Sequence, residues 1–553
     1  MVKTRLLFAV FLILFLGILI KLFYLQVLNP VNNADNAYLR TRKITPERGK
    51  IFDRNGLPLA VNQPVYLMYF EPKKIENKFE FVKKIDDLTQ IGEATIESKI
   101  DTSKDWVSVR NNIDTDLKNR LLATGLKGLG FDEETKRYYP EASLSSHLLG
   151  FVGKTSNGED IGYFGIEGYY DKDLTGLAGV LKSERDFLDR PILIGTQEKV
   201  DAENGRSLYL TVDKSVQDII KTKLKEAIEK YQAKDGCVIV ADPNTMEILG
   251  LACLPDFDVD KYYNFTEENF KNPTITDVYE PGSTFKPLIV AAAVENRKIK
   301  ANDTYDETGP VEIGGYTIRT WNNKYEGTIS ITRILEKSSN VGMVYIGEKL
   351  GQEKLLSAIN NYGFGSTTGI DLQGENPGYL RPKSNWYPID YATATFGQGI
   401  AVTPIQMITA FASIINGGTL YKPHVVLKIS STNDRINNIR PTKVRTVISP
   451  ITSEVIKKML VSTVENGEVA WAKPKGYTVG GKTGTAQIPI AGHYDPTKTV
   501  ASFIGFAPAD KPKFIALTII REPKSSQWGS ETAAPLFFEI AKELLVYYNI
   551  APQ

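Results

Sequence analysis

The spacing of apolar positions changes several times along this chain, and each change marks a different kind of element. Residues 6–28, LLFAVFLILFLGILIKLFYLQVL, are apolar except at Lys21 and Gln26. As a helix, a run of that length crosses roughly 30 Å of hydrocarbon. Lys3 and Arg5 precede it and favour an inside N-terminus, while Lys21 is near enough to the end to snorkel. A cleaved leader would have a shorter apolar stretch and a small-x-small exit, which LFYLQVLNP lacks. The pattern predicts an uncleaved anchor over residues 1–30, with the rest of the chain outside the cytoplasm. Residues 29–38, NPVNNADNAY, are polar and predict a linker.

From Ile44 to about Gly205 the pattern is mixed and loop-rich, with Asn55-Gly56 signalling a turn between short strands. A new unit is predicted at SLYLTVD (207–213), a strand followed by an amphipathic helix. Val216, Ile219, Ile220, Ala227, Ile228 and Tyr231 repeat there at helical spacing. GCVIVADPNTMEILGLAC (236–253) predicts a hairpin turning at Pro243-Asn244. Near the C-terminus, 499–507 and 513–521 read as buried strands around an Ala-Asp-Lys-Pro turn, and 532–548 as a helix. With a further strand at TVGGKTGTAQI, these elements predict an α+β fold, an antiparallel sheet covered by helices. The expected domains are the anchor (1–30), an α+β pedestal (31–205) and a C-terminal unit (206–553).

Bulk properties narrow the function classes. A chain of 553 residues has room for two to four domains. Lysine plus arginine (66) nearly balances aspartate plus glutamate (65), so no global field favours nucleic acid. Two cysteines cannot form a disulfide framework, and the predicted register sets Cys237 opposite Gly250 with Cys253 facing the other side. Two core thiols are expected rather than a bridge. His147, His424 and His493 are scattered, without zinc spacing, so no metal site is expected.

GYTVGGKTGTAQ (476–487) satisfies two unrelated patterns. Gly476, Gly481, Lys482 and Thr483 match a P-loop, which works only between a buried strand and a helix N-terminus. AWAKPKG (470–476) is not a buried strand, and Gly484, Pro489 and Gly492 prevent a helix from starting at Lys482. The alternative is K-T-G-T on a strand, where Gly484 suits the close approach of another backbone, such as a paired peptide.

EPGSTFKPLIVAAAVEN (280–296) carries S-x-x-K. Pro287 clashes with the Ser283 carbonyl inside a helix unless Ser283 is the first helical residue, with Lys286 one turn on. A neutral lysine at that spacing can serve as the serine's base. EKSSNVG (336–342) adds Ser338-x-Asn340. Each motif alone is weak: a serine cap with a solvated lysine, or an ordinary helix cap. In the order S-x-x-K, S-x-N, K-T-G they form the set of penicillin-binding proteins and serine β-lactamases.

The chain accordingly resembles a class B penicillin-binding protein, a peptidoglycan D,D-transpeptidase. The likeness takes in the anchor, R-G-x-I-x-D-R-N-G (48–56), GIEGYYD, the three motifs, YGFGSTTGIDLQGE (362–375), FGQGIAVTPIQM (396–407) and SFIGFAPAD (502–510). FGQG with SFIGFAP is closer to the division-type, FtsI-like branch than to the elongation type. WGSETAAP (528–535) departs from the family's glycine-rich stretch and leaves that cleft edge undefined.

The resemblance implies a nucleophile Ser283, with Lys286 as base and its pKa lowered by burial beside Lys482. It implies an oxyanion hole from the N–H groups of Ser283 and Thr485, proton relay by Ser338, and Asn340 orienting Lys286 and the substrate amide. Lys482, Thr483 and Thr485 would bind the donor carboxylate on the Gly484 strand. Arg48, Asp53, Arg54 and Glu167 would form ion pairs setting the angle between domains, or be ordinary surface charges. The implied ligands are D-Ala-D-Ala stem peptides, an acceptor amine and β-lactams, with no cofactor. The implied partners are division proteins and a SEDS-type membrane glycosyltransferase, since no polymerising domain fits this length. Two rivals remain open. One is a carboxypeptidase or β-lactamase, against which stands the absence of E-x-x-L-N after Ser338. The other is a retired scaffold, which would not need Ser283, Lys286 and Lys482 intact.

Overall fold

The computed structural model describes residues 2–28, 39–140, 144–184, 197–431, 435–490 and 493–552; the linker expected at 29–38 lies outside them. They divide into two compact units, residues 1–48 with 175–205 and residues 49–174 with 206–553. The first contains the apolar helix Val2–Phe23, continued by a π-turn over Tyr24–Leu28. It also contains a three-stranded antiparallel sheet in which Gly179–Glu184 lies between Leu39–Ile44 and Gln197–Val200. Within the helical segment, Arg5–Val27 is long and apolar enough by composition to cross a membrane.

The second unit contains the five-stranded antiparallel sheet expected from the sequence. Its order is Ile248–Leu254, Asp235–Ala241, Phe514–Arg521, His493–Ala507, Gly480–Ile490, so the K-T-G strand is an edge. Successive side chains point to opposite faces. Val238 and Val240 pack with the helices Lys214–Tyr231 and Ala533–Tyr547, whereas Ile239 and Leu517 pack with the central helices Lys286–Glu295 and Pro404–Ile415. Both central helices are apolar around most of their circumference because both are enclosed.

The strand Ser207–Leu210 is not part of that sheet. It pairs in parallel with Ile51–Phe52 and antiparallel with Val426–Ser430, in a sheet that continues through Pro58–Phe70. The Asn55-Gly56 turn forms between Ile51–Phe52 and Pro58–Phe70, with Gly56 at φ +86°.

The cysteine expectation fails. Cys237 lies opposite Cys253, not Gly250, and the two form a disulfide. The connection is longer than a two-residue turn: Asp242 donates to the Glu247 carbonyl at 3.0 Å and Met246, at φ +56°, to that of Asp242 at 2.8 Å. Those residues, with a bulge at Val240/Ala241, shift the register by an odd number and bring both sulfurs to one side.

Arg54 and Glu167, both expected in ion pairs, form them. Glu167 pairs with Arg137 at 2.7 Å, both buried. Arg54 pairs with Glu247, on the hairpin turn, at 3.3 Å. Asp53 is buried and accepts the amides of Asn55 (2.8 Å), Leu57 (2.8 Å) and Lys214 (3.2 Å), closing its own turn onto the helix Lys214–Tyr231. Arg48 donates to the Thr175 hydroxyl at 2.8 Å.

Candidate active site

Ser283 sits in a single 3₁₀ turn, Gly282–Phe285, from which the α-helix Lys286–Glu295 continues. It therefore precedes the α-helix by one tight turn instead of opening it, and Pro287 falls in the first helical turn, where its ring is tolerated. The Thr284 hydroxyl closes the turn on the Pro281 carbonyl at 2.6 Å. Gly282, at φ +53°, donates its N–H to the Gly397 carbonyl at 3.0 Å. A Cβ on Gly397 (φ +77°) would stand 2.3 Å from the Gly282 oxygen, so the two backbones touch directly. Gly484 is needed for a similar reason. Its Cβ would meet the Ser502 hydroxyl at 2.5 Å, Thr284 at 2.9 Å and the Pro281 carbonyl at 3.1 Å. The Ser283 turn thus packs directly against Gly484.

Ser283 is partly exposed while Gly282, Thr284, Phe285 and Lys286 are buried. The Lys286 ammonium nitrogen lies 2.6 Å from the Ser338 carbonyl, 3.2 Å from the Ser338 hydroxyl and 2.9 Å from Asn340 Oδ1. Burial, then the Lys482 charge, push its pKa well below the usual lysine value, against the opposing pull of Glu468 and Glu307. As a neutral amine it has two N–H groups for the carbonyl and amide oxygens, and a lone pair for a hydroxyl proton. Ser339, not Ser338, caps the helix Asn340–Leu350, accepting from the Gly342 amide at 2.9 Å. Ser338, held at φ +56°, is thereby left to the cleft. Asn340 Nδ2 donates to the Arg319 carbonyl at 3.2 Å, which fixes which end of the amide faces Lys286.

On the edge strand, buried Lys482 donates to the Thr483 carbonyl (3.2 Å) and hydroxyl (3.0 Å). Burial lowers its pKa and Glu468 partly restores it. The Thr483 hydroxyl donates to Glu468 Oε2 at 3.1 Å, and that of Thr485 accepts the Gly529 amide at 2.9 Å. Ser283, Ser338, Asn340, Thr483 and Thr485 line one cavity of about 380 Å³, and Lys286 and Lys482 hydrogen-bond to residues of that lining. The arrangement can deprotonate a hydroxyl facing an open cleft and hold a carboxylate beside it. Among the described residues no cluster of His, Cys, Asp or Glu is placed to hold a metal.

The cavity includes residues the sequence reading did not assign: Glu468, Phe396, Gln398, Trp321, Trp528 and Glu531. Phe396 and Gln398 stood in the FGQG motif, and Trp528 in WGSETAAP, so both stretches carried a signal. The Trp321 and Trp528 rings meet edge-on, 5.2 Å apart, at the cleft edge that stretch had left undefined. Nothing local distinguished Glu468 or Trp321.

The chain is similar to known proteins over most of its length. Residues 236–542 match the penicillin binding protein transpeptidase domain, and residues 43–210 the penicillin-binding protein dimerisation domain. The stage V sporulation protein D of Bacillus subtilis (strain 168) is 35% identical over 566 residues, covering 100% of this chain and 87% of the relative. The peptidoglycan D,D-transpeptidase FtsI of Escherichia coli (strain K12) is 30% identical over 541 residues, covering 96% and 89%. The crystal structure of penicillin binding protein 2X from Streptococcus thermophilus shares the fold, with a TM-score of 0.79 at 24% identity over 92% of this chain and 80% of that one.

Proposed function

Because the chain belongs to the penicillin-binding protein transpeptidase family, we propose that it is a peptidoglycan D,D-transpeptidase working through an acyl-enzyme on Ser283. The observation that carries this reading is the buried Lys286, held by Ser338 and Asn340, which line the same cavity as the partly exposed Ser283. Neutral Lys286 takes the Ser283 proton as the serine oxygen attacks the carbonyl between two D-alanines. The Ser283 and Thr485 amides hold the oxyanion. The C–N bond breaks, and Ser338 passes the proton from Lys286 to the departing D-alanine nitrogen. Lys482, with the hydroxyls of Thr483 and Thr485 on the Gly484 strand, holds the donor's terminal carboxylate. An amine from a neighbouring stem peptide then attacks the ester, forms the cross-link and returns a proton to Ser283.

The helix within 1–30 anchors the chain in the cell membrane by a single pass, and the rest is extracytoplasmic. The Cys237–Cys253 disulfide suits a domain maturing outside the reducing cytosol. Residues 31–205 serve as a pedestal for the transpeptidase domain, 206–553. The likeness to FtsI supports work at division, beside a SEDS-type glycosyltransferase and division proteins. Fluorescent penicillin supplies the test. The full chain in detergent should take up one penicilloyl group, mapped by mass spectrometry to PGSTFKP; an adduct elsewhere, or unchanged labelling of Ser283→Ala, overturns the assignment.

A further inference from the structure

Glu468 is the one acidic side chain hydrogen-bonded to the donor-facing end of the K-T-G strand among the described residues. It lines the same cavity as Ser283 and Thr483. Its place is set by the chain around it. Gly467 follows the helix Pro450–Asn466 so closely that a Cβ there would lie 2.2 Å from the Thr463 carbonyl, and Val469 is buried on the other side. The carboxylate is thus presented to the strand from a constrained backbone.

The Thr483 hydroxyl is engaged at both ends. It accepts from Lys482 at 3.0 Å and donates its single proton to Glu468 at 3.1 Å. A chain runs from cation through hydroxyl to anion. On the reading above, the donor's terminal carboxylate uses that same hydroxyl and that same cation. Two carboxylates cannot share one hydroxyl proton, and placing a second anion beside the first is unfavourable in so enclosed a site.

We infer that Glu468 is a specificity-determining residue that occupies the carboxylate site of the empty enzyme and must be displaced by an anionic donor or β-lactam. This rests on the carboxylate-binding role given to Lys482 and Thr483 under the proposed function. It adds that the site is self-filled, so affinity for carboxylate ligands is held down from within. Glu468 also opposes the lowering of the Lys482 pKa by burial.

The experiment uses the full chain in detergent and two thioester donors, one ending in a free carboxylate and one with that carboxylate converted to a primary amide. The quantity read is the ratio of kcat/KM for the first over the second. Glu468→Gln and Glu468→Ala should each raise that ratio by roughly tenfold, chiefly through a lower KM for the carboxylate donor. Acylation by a penicillin bearing its free carboxylate should quicken by a similar factor. Thermal melts identify any variant that does not fold, and the other then decides. An unchanged ratio, or a lower one, overturns the inference and makes Glu468 a structural or supporting group. A wild-type ratio near one, with Ser283 still acylated, removes the carboxylate site itself and the inference with it.

Discussion

Arg137 and Glu167 bury opposite charges against each other, whereas Lys286 and Lys482 bury like ones. In the first cluster the guanidinium Nε meets Glu167 at 2.7 Å, and its Nη1 is shared by the Gly49 carbonyl (2.8 Å) and Asn62 Oδ1 (3.0 Å). Tyr139 adds a 3.4 Å hydrogen bond to the same carboxylate. The desolvation of each ion is answered by its partner. In the second cluster, desolvation is answered only in part, and Lys286 is pushed toward the neutral amine. The first arrangement pairs its charges, and the second lowers the proton affinity of one of them. Burial of charge therefore separates structural from chemical sites only when the sign of the neighbours is considered with it.

Breaking the second cluster should have the largest effect. Lys286→Met should slow acylation by penicillin by about a thousandfold, since general-base catalysis is worth roughly 10²–10⁴. In the wild type the acylation rate should fall as acid protonates Lys286, at a pH well below the usual lysine value. The same shift acts on stability. Folding lowers the affinity of Lys286 for its proton, so between its folded pKa and about 10.4 the unfolded chain binds more protons and stability rises with pH. Wild type should therefore lose Tm relative to Lys286→Met as pH falls through that window, and melts over a pH series would show whether it does.

Breaking the first cluster should cost folding, not chemistry. Glu167→Gln leaves Arg137 buried without its counter-ion and should lower stability by about 3–5 kcal/mol. Denaturant titration measures this, while the acylation rate of the folded fraction stays at the wild-type value. Arg137→Met with Glu167→Leu should recover much of the loss, which Glu167→Gln alone cannot. A smaller effect is expected from Gly397→Ala. A methyl 2.3 Å from the Gly282 oxygen at φ +77° should cost about 1–3 kcal/mol of strain and slow acylation roughly tenfold. The smallest belongs to Arg54→Met. The pair with Glu247 is partly solvated, with Arg54 30% exposed, so its loss should lower stability by about 1 kcal/mol at most.

Local chemistry was legible in the sequence. The order of S-x-x-K, S-x-N and K-T-G, the oddity of Pro287, and the apolar runs that make 499–507 and 513–521 buried strands all depend on neighbours within a few residues. The disulfide was missed because register depends on how many residues the turn absorbs, and PNTME absorbs more than two. Glu468 was missed because its meaning comes from a strand that begins twelve residues later, at Gly480, and only folding brings its carboxylate to Thr483. Among the charges in 48–56, Arg54 forms the ion pair expected of it, whereas Asp53 is used for backbone amides, a choice made by the turn around it.

The glycine contacts around Ser283 bear on how such a site can adapt under antibiotic selection. Gly397 and Gly484 hold the Ser283 turn by backbone against backbone or against small side chains, where any added carbon collides at once. No graded series of substitutions exists at those two positions, because the first added carbon already falls inside contact distance of the backbone. Adaptive change that spares turnover must then come from the parts of the cleft built from side chains, Trp321, Trp528 and Glu468 among them, where volume and charge vary in small steps.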